Sequence, residues 1–385
     1  MHYIDAQTLP VLVCGWLASL IQQGVAQYQT HGHDDHIHSH EHVGYQRVNH
    51  SAMAVDNSGC RGLLKAPCIC RPTEVTCVNA QFTDTDVFLN INNAHFRYLT
   101  RVTFQGNNFR HLPKAVFGVG AGNEHSRLVM LNLSSNYIVH LDADALIGVP
   151  KLTTLDMQDN EIVLSGNETR FFTHTPSLLN LMLRRAFNPN VNQTLLTILL
   201  ERMFHAAKLK KLTYLDLSYN GLQGLPYNLG CDFPELTTLD LSVNRLRTLK
   251  LNGSCFQRLD TLNVRYNQFS TLGLDLRLTA AGLPDYSVLA ADNRYLCDCN
   301  SNAAVSWMRS TNKIQDRDRI RCHRTSPAEY DNMPMMEVPL DKLDCTKNLT
   351  SSATRPFGLS TTTARLGFCI VLERVMNYYY WYVLV

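Results

Sequence analysis

The most constraining feature of this sequence is a short apolar template that recurs along much of its length. The template reads LxxLxLxxNxL, and its six clearest copies begin at residues 99, 128, 152, 212, 236 and 259. A degenerate copy covers 178–188, with Ala186 where asparagine is expected, and a terminal copy ends near residue 293. The asparagines that mark the phase lie mostly 23 to 29 residues apart: Asn107, Asn136, Asn160, Asn220, Asn244, Asn267 and Asn293.

This period is that of the leucine-rich repeat. It predicts an α/β solenoid, a leucine-rich-repeat horseshoe with a parallel β-sheet on its concave face and about eight repeats over residues 83–293. In each copy Leu-x-Leu forms a short strand, whose apolar side chains point inward and whose other side chains point out from the concave face. The asparagine is expected to be buried at the turn, where its amide satisfies backbone groups. Leucines and asparagines of the template are therefore structural.

One stretch breaks the period. Residues 188–211 are inserted before the copy at 212, and the spacing of the Leu195-Leu196 and Leu199-Leu200 pairs predicts a helix packed on the solenoid. Arg184, Arg185 and Ala186 lie just before this insertion. Such a break indicates either a functional site or a tolerated expansion of one loop.

Both ends of the chain have features of an exported protein. Residues 1–26 read as a signal peptide, since an apolar run is followed by Gly24-Val25-Ala26; a short buried helix is the alternative. Residues 27–59 form a polar segment that is interpreted as disordered, with Zn²⁺ or Cu²⁺ chelation as its alternative. Its seven histidines are His31, His33, His36, His38, His40, His42 and His50.

The C-terminal region suggests an anchor. Residues 346–365 are rich in serine and threonine and resemble a stalk, and the 20 residues 366–385 are long enough to cross a bilayer. Glu373 and Arg374, near the middle of that segment, oppose insertion. The predicted location is the secretory pathway and then the cell membrane, as a single-pass type I protein, or the medium if the segment does not anchor.

Export makes disulfides the natural interpretation of the twelve cysteines. Two clusters flank the repeats, where an open solenoid needs caps: an N-terminal cap at 60–82 and a C-terminal cap at 294–345, the latter with Trp307 as its apolar plug. Each cluster of four allows three pairings, and a zinc site is the rival interpretation. The clusters are Cys60, Cys68, Cys70 and Cys77, and Cys297, Cys299, Cys322 and Cys345.

The sequence also contains two further cysteines that predict a disulfide and six glycosylation sequons. Cys231 and Cys255 are 24 residues apart, one repeat period, so they are expected to stack on adjacent turns and form a bond. A glycan on Asn132 would cover part of the concave face, because that residue lies in a predicted strand. The sequons are at Asn49, Asn132, Asn167, Asn192, Asn252 and Asn348.

The C-terminal cluster carries a specific resemblance. Its VSWMRST, QDRDRIRC and LDKLDC segments resemble the C-terminal cap of the trophoblast glycoprotein family, and the insertion with the Asn192 sequon is similar to that family's glycosylated spacer. The resemblance covers about residues 60–345. It does not extend to the histidine-rich segment, which suggests a divergent, invertebrate relative. Arg294 replaces the family's usual proline before the cap.

Caps of this kind imply the pairings Cys60–Cys70, Cys68–Cys77, Cys297–Cys322 and Cys299–Cys345. The family resemblance implies a type I surface glycoprotein that inhibits Wnt/β-catenin signalling and influences adhesion and motility. The expected partner is an extracellular or membrane protein, such as a Wnt-pathway component. The alternative is a secreted or surface adhesion or matrix-binding protein without a Wnt role.

A binding module is the favoured function class. The candidate binding face is the concave side, with a partner-free face and a ligand elsewhere as the alternative. Its residues are Asp156, Met182, Arg184, Tyr214, Asp216, Asp240, Asn263, Arg265 and Tyr266.

Other classes have weaker support. Neither a nucleophile elbow, a phosphate-binding glycine loop nor an HExxH motif occurs, so we predict no catalytic residue, cofactor or metal ligand. The 35 basic and 33 acidic residues leave a net charge of +2, which argues against a nucleic-acid partner. Glycosaminoglycan binding by a basic run competes with an ordinary charged surface, because aspartates interleave with it. That run contains Lys313, Arg317, Arg319, Arg321 and Arg324.

Overall fold

The computed structural model describes residues 59–91, 94–118 and 125–345. The predicted signal peptide, most of the histidine-rich segment, the stalk, the C-terminal apolar segment and the sequons at Asn49 and Asn348 lie outside these residues. Among the helices of the described residues, none combines the length and the apolar character that a membrane span requires.

A ten-stranded sheet runs through the described residues and carries the repeat. Its first two strands form an antiparallel hairpin, and every later strand pairs in parallel with the one before it in the sheet. The predicted leucine-rich-repeat solenoid is therefore confirmed. The strands are β1 (Ile69–Arg71), β2 (Glu74–Val78), β3 (Arg101–Gln105), β5 (Met130–Asn132), β7 (Thr154–Asp156), β8 (Asn180–Met182), β9 (Tyr214–Asp216), β10 (Thr238–Asp240), β11 (Thr261–Asn263) and β12 (Val288–Leu289).

Smaller elements lie beside this sheet. A two-stranded sheet of β4 (His111–Leu112) and β6 (His140–Leu141) joins neighbouring repeats, and β13 (Tyr295–Cys297) pairs with β14 (Cys322–Thr325) in the C-terminal cap. The α-helices are α1 (Gln193–Ala207), α2 (Leu229–Asp232), α3 (Leu274–Ala281) and α4 (Asn302–Ser310). Short 3-10 helices cover Gly62–Leu64, Thr85–Asn90, Ala94–Phe96, Asn167–Arg170, Gly253–Cys255, Cys299–Ser301, Arg317–Arg319, Ala328–Tyr330 and Leu340–Lys342.

The core is built from the template leucines. In five of the short repeat strands, β5, β7, β8, β10 and β11, the middle residue is buried between two partly exposed ones, because successive side chains of a strand point to opposite faces. Register places those central leucines side by side, for example Leu155 next to Leu181 and Leu181 next to Leu215. Stacked repeats thus bury one continuous apolar interior that no single repeat could bury alone.

The asparagines form a hydrogen-bonded ladder inside the turns. Asn244 Oδ1 accepts from the backbone N–H of Asn220 at 3.0 Å and of Leu222 at 3.0 Å, while its Nδ2 donates to carbonyls of two repeats. Burial of these amides confirms the predicted role, since a buried polar group needs its partners. At the degenerate copy the ladder is interrupted: the N–H of Asn160 donates to the Arg185 carbonyl instead.

The insertion forms the helix that its leucine spacing predicts. Asn192 caps α1, as its Oδ1 accepts from the N–H of Leu195 at 3.0 Å. The helix buries one face against the repeats and leaves Leu195 and Ile198 exposed. The buried residues are Leu196, Leu199, Leu200, Met203, Phe204 and Ala207.

The caps cover both ends of this core. The N-terminal hairpin adds β2 to the sheet beside β3, in the register Glu74 to Arg101. At the other end Trp307, the expected plug, packs against the core but is only half-buried, whereas Tyr295, Val305 and Met308 are among the fully buried side chains of the cap. On α4, Val305 and Met308 face the core while Trp307 lies at the edge, because positions three apart on a helix share a face.

Candidate functional site

The sheet register arranges the predicted concave residues in one line. The third residue of each repeat strand points out of the sheet, and strand pairing aligns those residues directly across seven strands. The resulting column is Thr103, Asn132, Asp156, Met182, Asp216, Asp240 and Asn263.

The aspartates of this column point out of the sheet and also accept hydrogen bonds from the backbone. One oxygen of each carboxylate accepts from the backbone N–H two residues further on: Asp156 at 3.0 Å, Asp216 at 2.8 Å and Asp240 at 2.8 Å. Such bonds are typical of aspartate at a turn. They satisfy the backbone where each strand ends and hold the carboxylates in place.

Asp216 differs from the prediction. Its exposed fraction is 8%, which makes it a buried residue of the sheet surface and not an accessible contact. Burial raises the pKa of Asp216, against the bonds from Ser218 that lower it. Burial likewise raises the pKa of Asp156, which is less deeply covered. Both carboxylates therefore retain protons at higher pH than a solvated aspartate.

Aromatic and apolar groups lie among these acids. Met182 separates Asp156 from Asp216 in the column, and Tyr214 is half-buried two residues before Asp216. The Arg184 guanidinium stacks over the Tyr219 ring, 4.3 Å from its centroid. Burial raises the pKa of the Tyr214 hydroxyl, so it stays a neutral donor.

We define the concave patch as Asp156, Met182, Arg184, Tyr214 and Asp240. It combines polar, charged and aromatic side chains, four of them on strands and Arg184 in the turn after β8, the composition found at protein–protein contacts.

Arg265 is not available on the candidate face, because its guanidinium is paired with Asp316 of the cap. Its Nε donates to Oδ2 of Asp316 at 2.7 Å, and its side chain is only 24% exposed. Asp316 also accepts from the N–H groups of Ala290 at 2.8 Å and Ala291 at 3.0 Å. Arg265 thus joins the last repeats to the cap, a role that sequence reasoning missed.

Two other predicted residues lie at the margin of the patch. Asn263 donates from Nδ2 to Oδ2 of Asp240 at 3.1 Å, so it supports that carboxylate. Tyr266 is 53% exposed with a positive φ of 54°, immediately before the ladder asparagine Asn267. It lies beyond the strand, at the rim of the sheet.

The structure joins all ten predicted cysteines of the described region in pairs. The pairs are Cys60–Cys70, Cys68–Cys77, Cys231–Cys255, Cys297–Cys322 and Cys299–Cys345, with Cα atoms 4.4 to 5.7 Å apart. These separations are normal for disulfides. Five disulfides are consistent with an oxidising compartment and place the repeats in the secretory pathway.

Four sequons lie in the described residues. Asn167 and Asn192 are exposed, Asn252 is half-exposed near the Cys231–Cys255 bridge, and Asn132 is half-buried in the concave column. Oδ1 of Asn132 accepts from the Ser134 N–H at 2.8 Å, while glycans attach to Nδ2.

The basic run in the C-terminal cap is largely occupied by internal bonds. Lys313 contacts Asp285 at 3.0 Å, and Arg319 contacts Asp292 at 3.1 Å. Arg317 and Arg321 donate to backbone carbonyls. These contacts favour the charged-surface interpretation over a glycosaminoglycan site there. Within the described ranges, no group of three or more His, Cys, Asp or Glu side chains is arranged to hold a metal ion.

Sheet, ladder and disulfide-bonded caps together define a leucine-rich-repeat protein of the secretory pathway. Leucine-rich-repeat family models match residues 97–162 and 211–231. Trophoblast glycoprotein of Macaca fascicularis is 26% identical over 322 residues, covering 80% of this chain and 73% of that protein. The protein of Homo sapiens is also 26% identical, over 329 residues.

A solved structure agrees with these sequence matches. The crystal structure of human trophoblast glycoprotein, also called Wnt-activated inhibitory factor 1, superposes with a TM-score of 0.62 at 26% identity. It covers 73% of this chain and 98% of the crystallised one. The chain is a divergent, trophoblast-glycoprotein-like leucine-rich-repeat protein.

Proposed function

We propose that this chain is a non-enzymatic surface or secreted glycoprotein that binds an extracellular protein through the concave patch and thereby modulates Wnt signalling. The observation that carries the binding role is the patch itself. Tyr214 lies on β9 and Arg184 in the turn after β8, and both strands pair with a neighbour on each side, so the side chains that present donors and aromatic surface are held in place and little entropy is lost when a partner binds.

The patch occupies the C-terminal part of the concave column. Asn132, two strands earlier than Met182, carries a sequon, and a glycan there would exclude a partner from the first strands. We therefore place the contact between β7 and β10. Carboxylates at Asp156 and Asp240 flank this region, which favours a partner segment with basic side chains.

Support for the Wnt role comes from the relative whose name includes Wnt-activated inhibitory factor. A β-catenin reporter in Wnt-stimulated cells that display the full chain tests it. We expect reduced reporter activity with the natural sequence. Unchanged signalling would contradict the Wnt role and leave protein binding to be tested separately.

A patch variant tests the face. The double substitution Tyr214→Ala/Asp240→Ala should reduce the inhibitory potency at least about tenfold, since central aromatic contacts dominate interfaces. The matched control, Tyr227→Ala/Glu201→Ala, removes one exposed tyrosine and one exposed acid outside the concave sheet. Equal potency of both variants at equal surface amounts would rule out the patch.

Anchorage and processing complete the proposal. We infer that residues 1–26 direct export, that 27–59 form a polar leader, and that 366–385 hold the protein in the membrane beyond the 346–365 stalk. Fractionation of expressing cells checks this: the glycoprotein should sediment with membranes. Recovery from the medium, with residues 366–385 still present by mass spectrometry, would show that this segment does not anchor.

A further inference from the structure

A second surface lies on one rim of the solenoid, at the turns that follow the strands. Gln223, Arg245, Arg247 and Gln268 line a cavity of about 370 Å³ there. They come from three consecutive repeats, one or three residues after a ladder asparagine. Because the repeat places equivalent positions side by side, four polar side chains from three repeats converge on one cavity.

The lining of this cavity is cationic and rich in donors. No carboxylate is among its four lining residues. The Arg245 side chain makes no hydrogen bond or ion pair within the described part of the chain, and Arg247 Nε donates to the Gln268 amide oxygen at 3.4 Å. The C-terminal basic run differs, since Lys313 and Arg319 are held by aspartates. Two guanidinium groups without a carboxylate partner suit an oxyanion with several acceptors.

The cavity opens into a longer groove. Arg245 and Gln268 also line an adjoining space of about 880 Å³, which extends along the rim past Tyr219 and Pro189 to Tyr137. Tyr137 is 54% exposed and offers a ring on which a sugar can stack. Acidic groups of the groove are Asp159, paired with Arg185 at 2.7 Å, and Glu161, both of them lining only the larger space. An open groove with a basic end fits a linear chain better than a small ion.

We propose that this rim site binds a sulfated acidic polysaccharide of the glycosaminoglycan class. Arg245 and Arg247 hold a sulfate group, the amides of Gln223 and Gln268 bond neighbouring oxygens, and the following sugars run along the groove toward Tyr137. The site is separate from the concave patch, and its test does not depend on the Wnt role.

Binding of size-defined heparin dodecasaccharide to the secreted, glycosylated protein tests the proposal by surface plasmon resonance in about 0.15 M salt. The natural sequence should bind. Arg245→Gln/Arg247→Gln should weaken binding at least about tenfold, the value of one or two charge-assisted hydrogen bonds. The dependence of log affinity on log salt should also become shallower by about one to two.

Three comparisons keep the proposal falsifiable. The control Arg321→Gln/Arg324→Gln removes the same charge from the C-terminal cap and should change affinity less than about twofold. Unsulfated heparosan of equal length should bind much more weakly than heparin. Thermal unfolding verifies that the variants fold, and each single substitution should give an intermediate loss.

Four results would overturn the site. They are absent heparin binding at this salt, unchanged affinity of the Arg245/Arg247 variant, an equal or greater loss in the cap variant, and equal binding of heparosan. The last result would show that carboxylates and not sulfates are recognised.

Discussion

Asp316 offers the sharpest test of how the solenoid is closed. Its carboxylate stands where the next strand would be, because it accepts from the N–H groups of Ala290 and Ala291 at the end of the sheet and from Arg265 in the preceding repeat. The side chain is 3% exposed. Asp316→Ala would leave two buried N–H groups and a guanidinium, 24% exposed, without this acceptor.

The expected cost follows from these contacts. Each unsatisfied buried N–H costs about 1–3 kcal/mol, and breaking a buried ion pair by removal of one partner costs about 3–5 kcal/mol in total. We expect the free energy of unfolding to fall by about 3–5 kcal/mol and the melting temperature by roughly 6–20 °C. Urea unfolding followed by circular dichroism measures the first quantity, and calorimetry measures the second.

Two further variants separate the cap from general damage. Asp318→Ala removes an exposed carboxylate two residues away and should change stability by less than about 0.5 kcal/mol. Arg265→Ala should cost less than Asp316→Ala, since the aspartate keeps its two backbone donors. A double-mutant cycle between the two should give a coupling of about 1–3 kcal/mol. A loss below about 1 kcal/mol for Asp316→Ala would refute the reasoning.

Three other predictions address the ladder, a disulfide and a buried base. Asn220→Ala should lower the free energy of unfolding in urea by about 2–4 kcal/mol, because it removes two accepted and three donated hydrogen bonds. Asn132→Ala, which removes one turn bond, should cost under about 1 kcal/mol. Equal losses in the two variants would contradict the ladder role. Cys231→Ala/Cys255→Ala should cost about 2–4 kcal/mol, and non-reducing peptide mass spectrometry should recover the linked pair; finding both as free thiols would refute the bridge. Burial lowers the pKa of His125 from 6.5 to about 4. Between pH 6.5 and pH 4 the imidazole is protonated in the unfolded chain but not in the folded one. The free energy of unfolding should therefore fall by about 3 kcal/mol as the pH drops from 6.5 to 4. The His125→Gln variant should lose that pH dependence when unfolding is measured across the range, and an unchanged pH profile would exclude the imidazole as its source.

The local charge differs between the surfaces of this protein. The concave patch contains the carboxylates of Asp156 and Asp240, and the rim cavity holds Arg245 and Arg247, while Lys313 and Arg319 of the cap are paired with aspartates. The net charge of +2 conceals these differences. Two surfaces of opposite sign can therefore serve two kinds of partner on one scaffold.

Much of the fold was readable from the repeat. The leucines and asparagines follow a local pattern that each copy restates, so the strands, their register and the buried amides at Asn107 through Asn293 were predictable without coordinates. The helix at Gln193–Ala207 was equally readable, because its leucine pairs recur at helical spacing. Such features depend on residues within one or two repeats of each other.

The candidate site was only partly readable. Alternation in a strand correctly aligned Asp156, Met182 and Asp240, but it did not reveal that Asp216 is buried or that Arg245 and Arg247 share a cavity with glutamines of two other repeats. How deeply a side chain is covered depends on the sizes of its neighbours on adjacent strands, and a one-dimensional pattern does not contain those contacts.

By itself, the sequence determined the solenoid, the phase of its repeats, its two capped ends and the residues that point toward the concave side. The reason is that apolar side chains at a fixed period are buried when the repeats stack on one another. Tertiary structure alone decided which charges are free. Arg265 looked like a contact for a partner until the cap brought Asp316, 51 residues away, within 2.7 Å of it. A guanidinium binds the carboxylate that the folded chain places beside it. That pairing depends on how segments from different parts of the chain pack together, and the pattern within a repeat does not specify it.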